Sequence, residues 1–283
     1  MEDVRGELTQ RREDGVDLPV LIWRPIEPVL TISSGPLGGG IGLRHWVLNA
    51  TVPMSYARDD PPVHVGEIAA GLGLSGPGAG LLTGVDVGRA VTLTERGVTV
   101  SATVGIGDPG WAAAPDTDPV ERVAGTINVV AWLPARLAEA ALVNAVATIA
   151  EAKAQALGDL AIAGTGTCTD AVVVTCRPVG PVEPYGGPRS AWGAPLARAA
   201  HAAVVQGGRA WLADPRSWSA RTGGTRANAD GDSSRSSAGA PGDSSRSSAG
   251  AADDSNPIRG GGTVPGSGSL RTDPSSGLRT KPA

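Results

Sequence analysis

Phenylalanine is absent from this chain, and cysteine, histidine and tyrosine are scarce: two Cys, three His and two Tyr among 283 residues. Without Phe, a core has to be built from Val, Leu, Ala and the seven Trp. Two cysteines, Cys168 and Cys176, cannot form a disulfide framework; they read as small thiols in a reducing compartment, the cytoplasm. The histidines His45, His64 and His201 lie far from that pair in sequence, so zinc-ligand spacing is missing and no metal is expected. Neither sign of charge dominates: 24 Lys and Arg stand against 28 Asp and Glu, a net −4. A nucleic-acid partner would call for a basic face or stripe, so none is expected. No apolar run approaches the ~18–20 residues of a membrane span, and the charged start MEDVRGELTQRREDG has no apolar signal-peptide core.

Composition changes sharply near Asp214. Up to there the chain is rich in Ala, Val, Leu and Gly; from Pro215 it is Ser, Gly, Arg, Asp and Pro. Such a tract buries too little surface to offset its chain entropy. It also repeats itself, with GDSSRSSAGA at Gly231–Ala240 and again at Gly242–Ala251. The expected organisation is a flexible lead-in over 1–18, one domain over 19–214 and a disordered low-complexity tail over 215–283.

Strands are expected at Pro19–Arg24, Pro28–Ser34, His45–Pro53, Thr126–Pro134 and Asp170–Cys176, all β-branched or alternating. A hairpin is expected around Arg96-Gly97. A short helix is weakened by Gly71 and Gly73. A long Ala-rich one runs from Pro134 to a stop at Gly158, and a last one from Pro195 ends at Gly207-Gly208. At ~100° per residue the long helix gathers Leu142, Val146, Ile149 and Leu157 on one stripe and Asn144, Thr148, Glu151 and Gln155 on the other. Lys153 falls within the apolar stripe, a costly place for an ammonium without a partner. The fold class is mixed α and β: a twisted mixed sheet with the long helix packed on it.

The densest glycine run is ISSGPLGGGIGLRHW, Ile32–Trp46. A P-loop would need a Lys after its glycines, and none follows. No register satisfies G-x-G-x-x-G, and the residues after the run read as strand, not helix. What is left is a strand–loop–strand whose bare backbone allows close approach. Arg44 at its exit is open to two readings, a ligand clamp or a solvated strand-end charge. Asn49, Tyr56, Arg58, Asp59 and His64 share one loop-rich stretch, either an ordinary surface loop or part of a site. GTGTCTDAVVV, Gly164–Val174, crowds Thr165, Thr167, Thr169 and Asp170 at the mouth of a strand. Asp170 could cap the turn; hydroxyls and free N–H groups there would equally suit attack on an acyl group or an oxyanion hole. Neither the G-x-S-x-G elbow nor H-E-x-x-H occurs.

Seven blocks in order carry a resemblance: SSGPLGGGIGLRHWVLNATVP, GLLTGVDV, ATVGIGDP, GTINVVAWLP, ALVNAVATIAEAKAQAL, GTGTCTDAVVV and GGPRSAWGAPLARAAHAAV. Together, over about Val29 to Gly207, they resemble the adenosylcobinamide amidohydrolases. EAKAQAL followed by GTGTCTDAV is the most specific part, although Cys168 stands where a small residue such as Ala is expected. The resemblance implies hydrolysis of the amide between a corrin propionate arm and aminopropanol, giving adenosylcobyric acid. The corrinoid is then substrate, and no cofactor is implied. Amide hydrolysis needs an activated nucleophile, an oxyanion stabiliser and a proton for the amine. The residues expected in those roles are Glu151 or Asp170, activating water or the Thr167 hydroxyl, with Lys153, Asn128 and the backbone of Gly164–Thr167 at the oxyanion. Gly38, Gly39, Gly40, Arg44, Asn49, Arg58 and Thr165 are the expected substrate contacts. A non-catalytic corrinoid-binding protein and a self-processing Thr hydrolase are the competing readings.

Overall fold

The structure, a computed structural model, describes residues 5–115 and 125–222. Two β-sheets pack face to face, and helices cover both outer faces. The first sheet has four strands: β1 (Glu7–Glu13), β2 (Val16–Trp23), β5 (Trp46–Thr51) and β6 (Gly78–Thr83), in the order β1-β2-β5-β6. The second has six: β3 (Val29–Ser33), β4 (Gly40–Arg44), β7 (Val91–Glu95), β8 (Val98–Ile106), β9 (Gly125–Leu133) and β11 (Ala171–Cys176), in the order β4-β3-β11-β9-β8-β7. A two-stranded pair joins β10 (Arg136–Leu137) to β12 (Val182–Glu183).

Each large sheet contains one parallel pair bridged by a helix. β5 and β6 are joined through α1 (Pro61–Gly71), and β9 and β11 through α2 (Glu139–Asp159). The other pairs in both sheets are antiparallel, so both are mixed. A second 21-residue helix, α3 (Gly193–Ala213), lies with α2 on the six-stranded sheet. The short α4 (Trp218–Thr222) follows it.

Three apolar layers hold the stack. Between helices and six-stranded sheet lie Val100, Val104, Val129, Val174, Leu142, Ile149, Leu196 and Val204. Between the sheets lie Trp23, Val47, Leu81, Val130, Trp132 and Val173. Between the four-stranded sheet and α1 lie Val20, Ile22, Trp46, Leu48, Val65 and Ile68. Covering on both faces explains why β9 reads as a near-continuous apolar run and why the polar side of alternating β8, Ser101 and Thr103, is buried as well. Trp23 and Trp132 supply the bulk that Phe would ordinarily bring to the middle layer. Alanines at 141, 145, 152, 156, 199, 200 and 203 are buried, and their small size lets α2 and α3 approach each other and the sheet closely.

The mixed α and β class holds, with two sheets where one was expected. From Glu7 on, the segment expected as a flexible lead-in is strand, while residues 1–4 lie outside the described residues. β1 and β2 form a hairpin across Asp14-Gly15, whose φ values of 48° and 78° suit a two-residue primed turn. The long helix starts at Glu139, five residues after Pro134, because Arg136–Leu137 pair as β10 first. It passes Gly158 to end at Asp159. Gly207 and Gly208 do not stop the last helix, which runs to Ala213; a Cβ at Gly207 would come within 2.7 Å of Val104 Cγ2, so the bare residue permits close packing on β8. The domain also continues past 214, since Trp218 is buried and its N–H donates to the Gly84 carbonyl at 3.1 Å. The rest of the expected tail, from 223 on, lies outside the described residues.

Candidate active site

The registers of β3, β11, β9 and β8 bring four strand ends to one side of the six-stranded sheet: Ser33, Ala171, Gly125 and Ile106. The turn leading into β11 and the loop leaving β8 meet there. Gly110 N–H donates to the Gly166 carbonyl at 2.9 Å, and Thr165 N–H donates to the Gly110 carbonyl at 2.8 Å. Thr165 Oγ1 accepts from Ala112 N–H at 3.1 Å.

Asp170 is the hub of this side. Its Oδ1 accepts from Ile127 N–H at 2.8 Å and from the Thr167 hydroxyl at 2.5 Å. Its Oδ2 accepts from Thr167 N–H at 3.0 Å and forms an ion pair with Lys153 Nζ. The two charged side chains are 14% and 11% exposed, so the pair is largely withdrawn from water but open at the mouth. The pairing answers the cost of placing Lys153 on the apolar stripe of α2. Gly166 makes room for it, because a Cβ there would collide with Lys153 Nζ and lie 2.5 Å from Asp170 Oδ2. Next to the pair, the Thr126 and Thr169 hydroxyls are hydrogen-bonded to each other at 2.6 Å, and the one that does not donate there donates to the Gly125 carbonyl. Sequence reading placed Thr169 at this mouth but missed Thr126. The signal was the GTIN start of β9, whose register with β11 was not legible.

The other expected residues lie elsewhere. Glu151 sits two positions before Lys153, roughly 200° around the helix. It is exposed and lines an open cleft of about 430 Å³ between α2 and α3 with Gln155, Arg198 and His201. Asn128 and Asn49 are 1% and 2% exposed and face each other between the two sheets. Asn128 Nδ2 donates to Asn49 Oδ1 and to the Leu82 carbonyl, each at 3.0 Å, and Asn49 Nδ2 donates to Thr103 Oγ1 at 3.0 Å. They act as a buried polar tie between sheets, not as a lining of the mouth.

The glycine run forms the turn from β3 to β4 and leans on β6. Gly80 N–H donates to the Leu37 carbonyl at 3.0 Å. Gly38 has φ +71°, and a Cβ there would collide with the Gly78 carbonyl. Arg44 ties the loop to itself: Nη2 donates to the Gly38 carbonyl and Nη1 to the Leu43 carbonyl, both at 3.0 Å. Gly38 and Arg44 border an open hollow of about 440 Å³ with Leu37, Trp46 and Ala69, while Gly39 and Gly40 are exposed.

A second polar cluster lies on the α1 side. His64, 3% exposed, has Nε2 3.1 Å from Glu13 Oε1 and Nδ1 3.2 Å from the Tyr56 hydroxyl. Burial lifts the Tyr56 phenol above its usual range, and Arg58 opposes the rise. Arg58 itself is exposed and held by Asp60 and Glu67 at 2.7 Å each. These hydrogen bonds raise its pKa and lower that of Asp60. The cluster borders an open cavity of about 680 Å³. Glu13 was missed because the segment carrying it was read as flexible. No group of three metal-ligating side chains gathers among the described residues, and no helix there is long and apolar enough to cross a membrane.

The family model described as adenosylcobinamide amidohydrolase matches residues 2–216. The chain belongs to that family. One relative, an adenosylcobinamide amidohydrolase of Halobacterium salinarum, is 40% identical over 172 residues, covering 57% of this chain and 71% of the relative. Another, an adenosylcobinamide amidohydrolase of Methanosarcina mazei, is 31% identical over 190 residues, covering 64% and 88%. The matched span takes in β1, where the expected domain began only at residue 19. Family membership makes the protein a hydrolase of an amide C–N bond. The mouth at Asp170 then has to be judged as a place for that chemistry.

Proposed function

We propose that this protein hydrolyses the amide that joins aminopropanol to the corrin propionate arm of adenosylcobinamide, and that Thr167, Asp170 and Lys153 carry the reaction. One observation supports the assignment above the others: the Thr167 hydroxyl already donates to Asp170 Oδ1 at 2.5 Å, at a partly open mouth, with Lys153 on the other carboxylate oxygen. In this reading Thr167 Oγ1 attacks the amide carbonyl as Asp170 takes its proton. The Lys153 ammonium stabilises the oxyanion. The C–N bond breaks, the proton passes to the leaving nitrogen, and aminopropanol departs. Water then cleaves the Thr167 ester, with Asp170 again as base, to release adenosylcobyric acid. The cobalt belongs to the substrate, and the reading needs no resident cofactor. Thr165, beside the mouth, and Gly38 and Arg44, around the hollow, are proposed contacts for the substrate's amide arms. A soluble cytoplasmic enzyme without nucleic-acid or membrane partners is part of the same reading.

The test is incubation with adenosylcobinamide, followed by chromatography for adenosylcobyric acid and aminopropanol. Release of both in equal amounts supports hydrolysis. Tight binding of the intact corrinoid without products would favour the non-catalytic reading. Mass spectrometry of the protein after acid quench reads the ester at Thr167. An internally cut chain would instead point to self-processing.

A further inference from the structure

Trp111 is 60% exposed, an unusual position for the bulkiest side chain in a protein that buries Trp23, Trp46, Trp132, Trp211 and Trp218. A single exposed apolar residue is ordinary and by itself calls for nothing. Trp111 is set apart by how it is held and where. Its neighbours on both sides are pinned to the turn that carries the reacting groups. Gly110 is paired in both directions with that turn, through Gly166 and Thr165, and Ala112 N–H is bonded to Thr165 Oγ1. Ala114 N–H closes a further turn on the Trp111 carbonyl at 3.1 Å. The contact is tight, since a Cβ at Gly164 would come within 2.9 Å of Gly110 N and O. An exposed indole is therefore carried on backbone fixed to the Gly164–Asp170 turn at Thr165 and Gly166, the two residues before Thr167. Preorganisation of that kind favours stacking, because little freedom is lost on binding.

We propose that Trp111 is the platform on which the adenine of the substrate's adenosyl group stacks, so that this residue sets the preference for the adenosylated corrinoid. The inference rests on the adenosylcobinamide reading above. The chemistry picks out the adenine. The corrin plane is flanked on both faces by the axial positions of its cobalt and by its side arms, whereas the adenine offers an unobstructed π-face of about the size of an indole. Base–aromatic stacking tolerates small changes of pose and needs no hydrogen-bond partners from the platform. Trp111 is a positioning and specificity residue in this scheme, without contact to the reacting atoms.

The experiment compares wild type, Trp111→Ala and Trp111→Phe on two substrates: adenosylcobinamide, and cobinamide carrying cyanide as its upper ligand. For the Ala variant, KM for the adenosyl form should rise about thirtyfold, the middle of the range that loss of one stacked base gives, while kcat stays within about twofold. Phe should restore most of the loss. Binding of the cyanide form, measured by equilibrium dialysis, should be unchanged in both variants. An unmoved KM in an active Trp111→Ala enzyme overturns the proposal. An equal loss for both corrinoids overturns it too, since the indole would then serve the corrin or the loop and not the adenine. If wild type turns over neither corrinoid, the hydrolase reading fails on its own. Dialysis then still decides: the adenosyl form must bind wild type more tightly than the cyanide form, and Trp111→Ala must abolish that difference, or stacking is wrong.

Discussion

Two glycine-rich turns stand at the same side of the six-stranded sheet, and they do different work. The Ser34–Gly39 turn has the higher glycine density, and its hydrogen bonds tie it into the fold: Ser34 to Val172, Leu37 to Gly80, and Arg44 to Gly38. The Gly164–Asp170 turn has fewer glycines, and each makes room for something polar: Gly166 for the Lys153–Asp170 pair, Gly164 for the backbone of Gly110. Glycine density therefore marks where backbones come close. Chemistry depends on which side chains the approach brings together.

Removing the hydroxyl of the second turn should have the largest effect. Thr167→Val should lower kcat/KM by about a thousandfold or more, since it deletes the proposed nucleophile at nearly constant volume. Thr167→Ser should retain measurable turnover. A Val variant within tenfold of wild type would leave water as the nucleophile, activated by Asp170. Asp170→Asn comes next. It keeps the shape but loses the base and the ion pair, and a fall of about a hundredfold to ten-thousandfold in kcat is expected. It also strands Lys153, and breaking such a buried pair from one side costs about 3–5 kcal/mol. The melting temperature must therefore be read beside the rate: activity lost only in proportion to unfolded protein would make Asp170 a structural cap.

Much of this was legible in the sequence, for reasons that can be named. The Arg96-Gly97 hairpin was readable because the alternation on both sides is strong. The same signal at Asp14-Gly15 was passed over, since Arg11, Arg12 and Glu13 gave that strand a polar look. β1 is an edge strand, and edges carry charge. The second sheet was invisible because nothing local tells one mixed sheet from two stacked ones; long-range pairing decides it. Lys153 was flagged as misplaced on its stripe, and the structure supplies Asp170 as the partner. Glu151 was offered beside Asp170 as the activating group, although the helix layout already set it on the stripe opposite Lys153; in the structure it is exposed and lines the cleft away from the pair. Asn128 was chosen as a polar residue at a strand start and Asn49 as part of a loop-rich polar stretch, and sheet stacking put both inside.

The first turn should fail differently. Gly38→Ala forces a side chain into φ +71° and against the Gly78 carbonyl. The left-handed conformation alone costs about 1–2 kcal/mol, and the collision brings the expected loss to about 2–4 kcal/mol. Melting should fall by several degrees, while kcat of the folded fraction holds near wild type. A large drop in kcat without a change in melting would move chemistry into the first turn and undo the contrast.

The smallest effect tests the boundary of the reacting centre. Glu151→Ala removes an exposed carboxylate from the cleft between α2 and α3. Exposed substitutions of this kind stay within about 0.5 kcal/mol in stability, and turnover of adenosylcobinamide should stay within about threefold. The measurement discriminates because Glu151 and Lys153 are two residues apart in sequence but on different sides of one helix. If loss of Glu151 abolishes turnover while Thr167→Val does not, the reacting centre belongs in the cleft, with His201 and Gln155 as its neighbours. The Lys153–Asp170 pair would then be a fastening for the turn and nothing more.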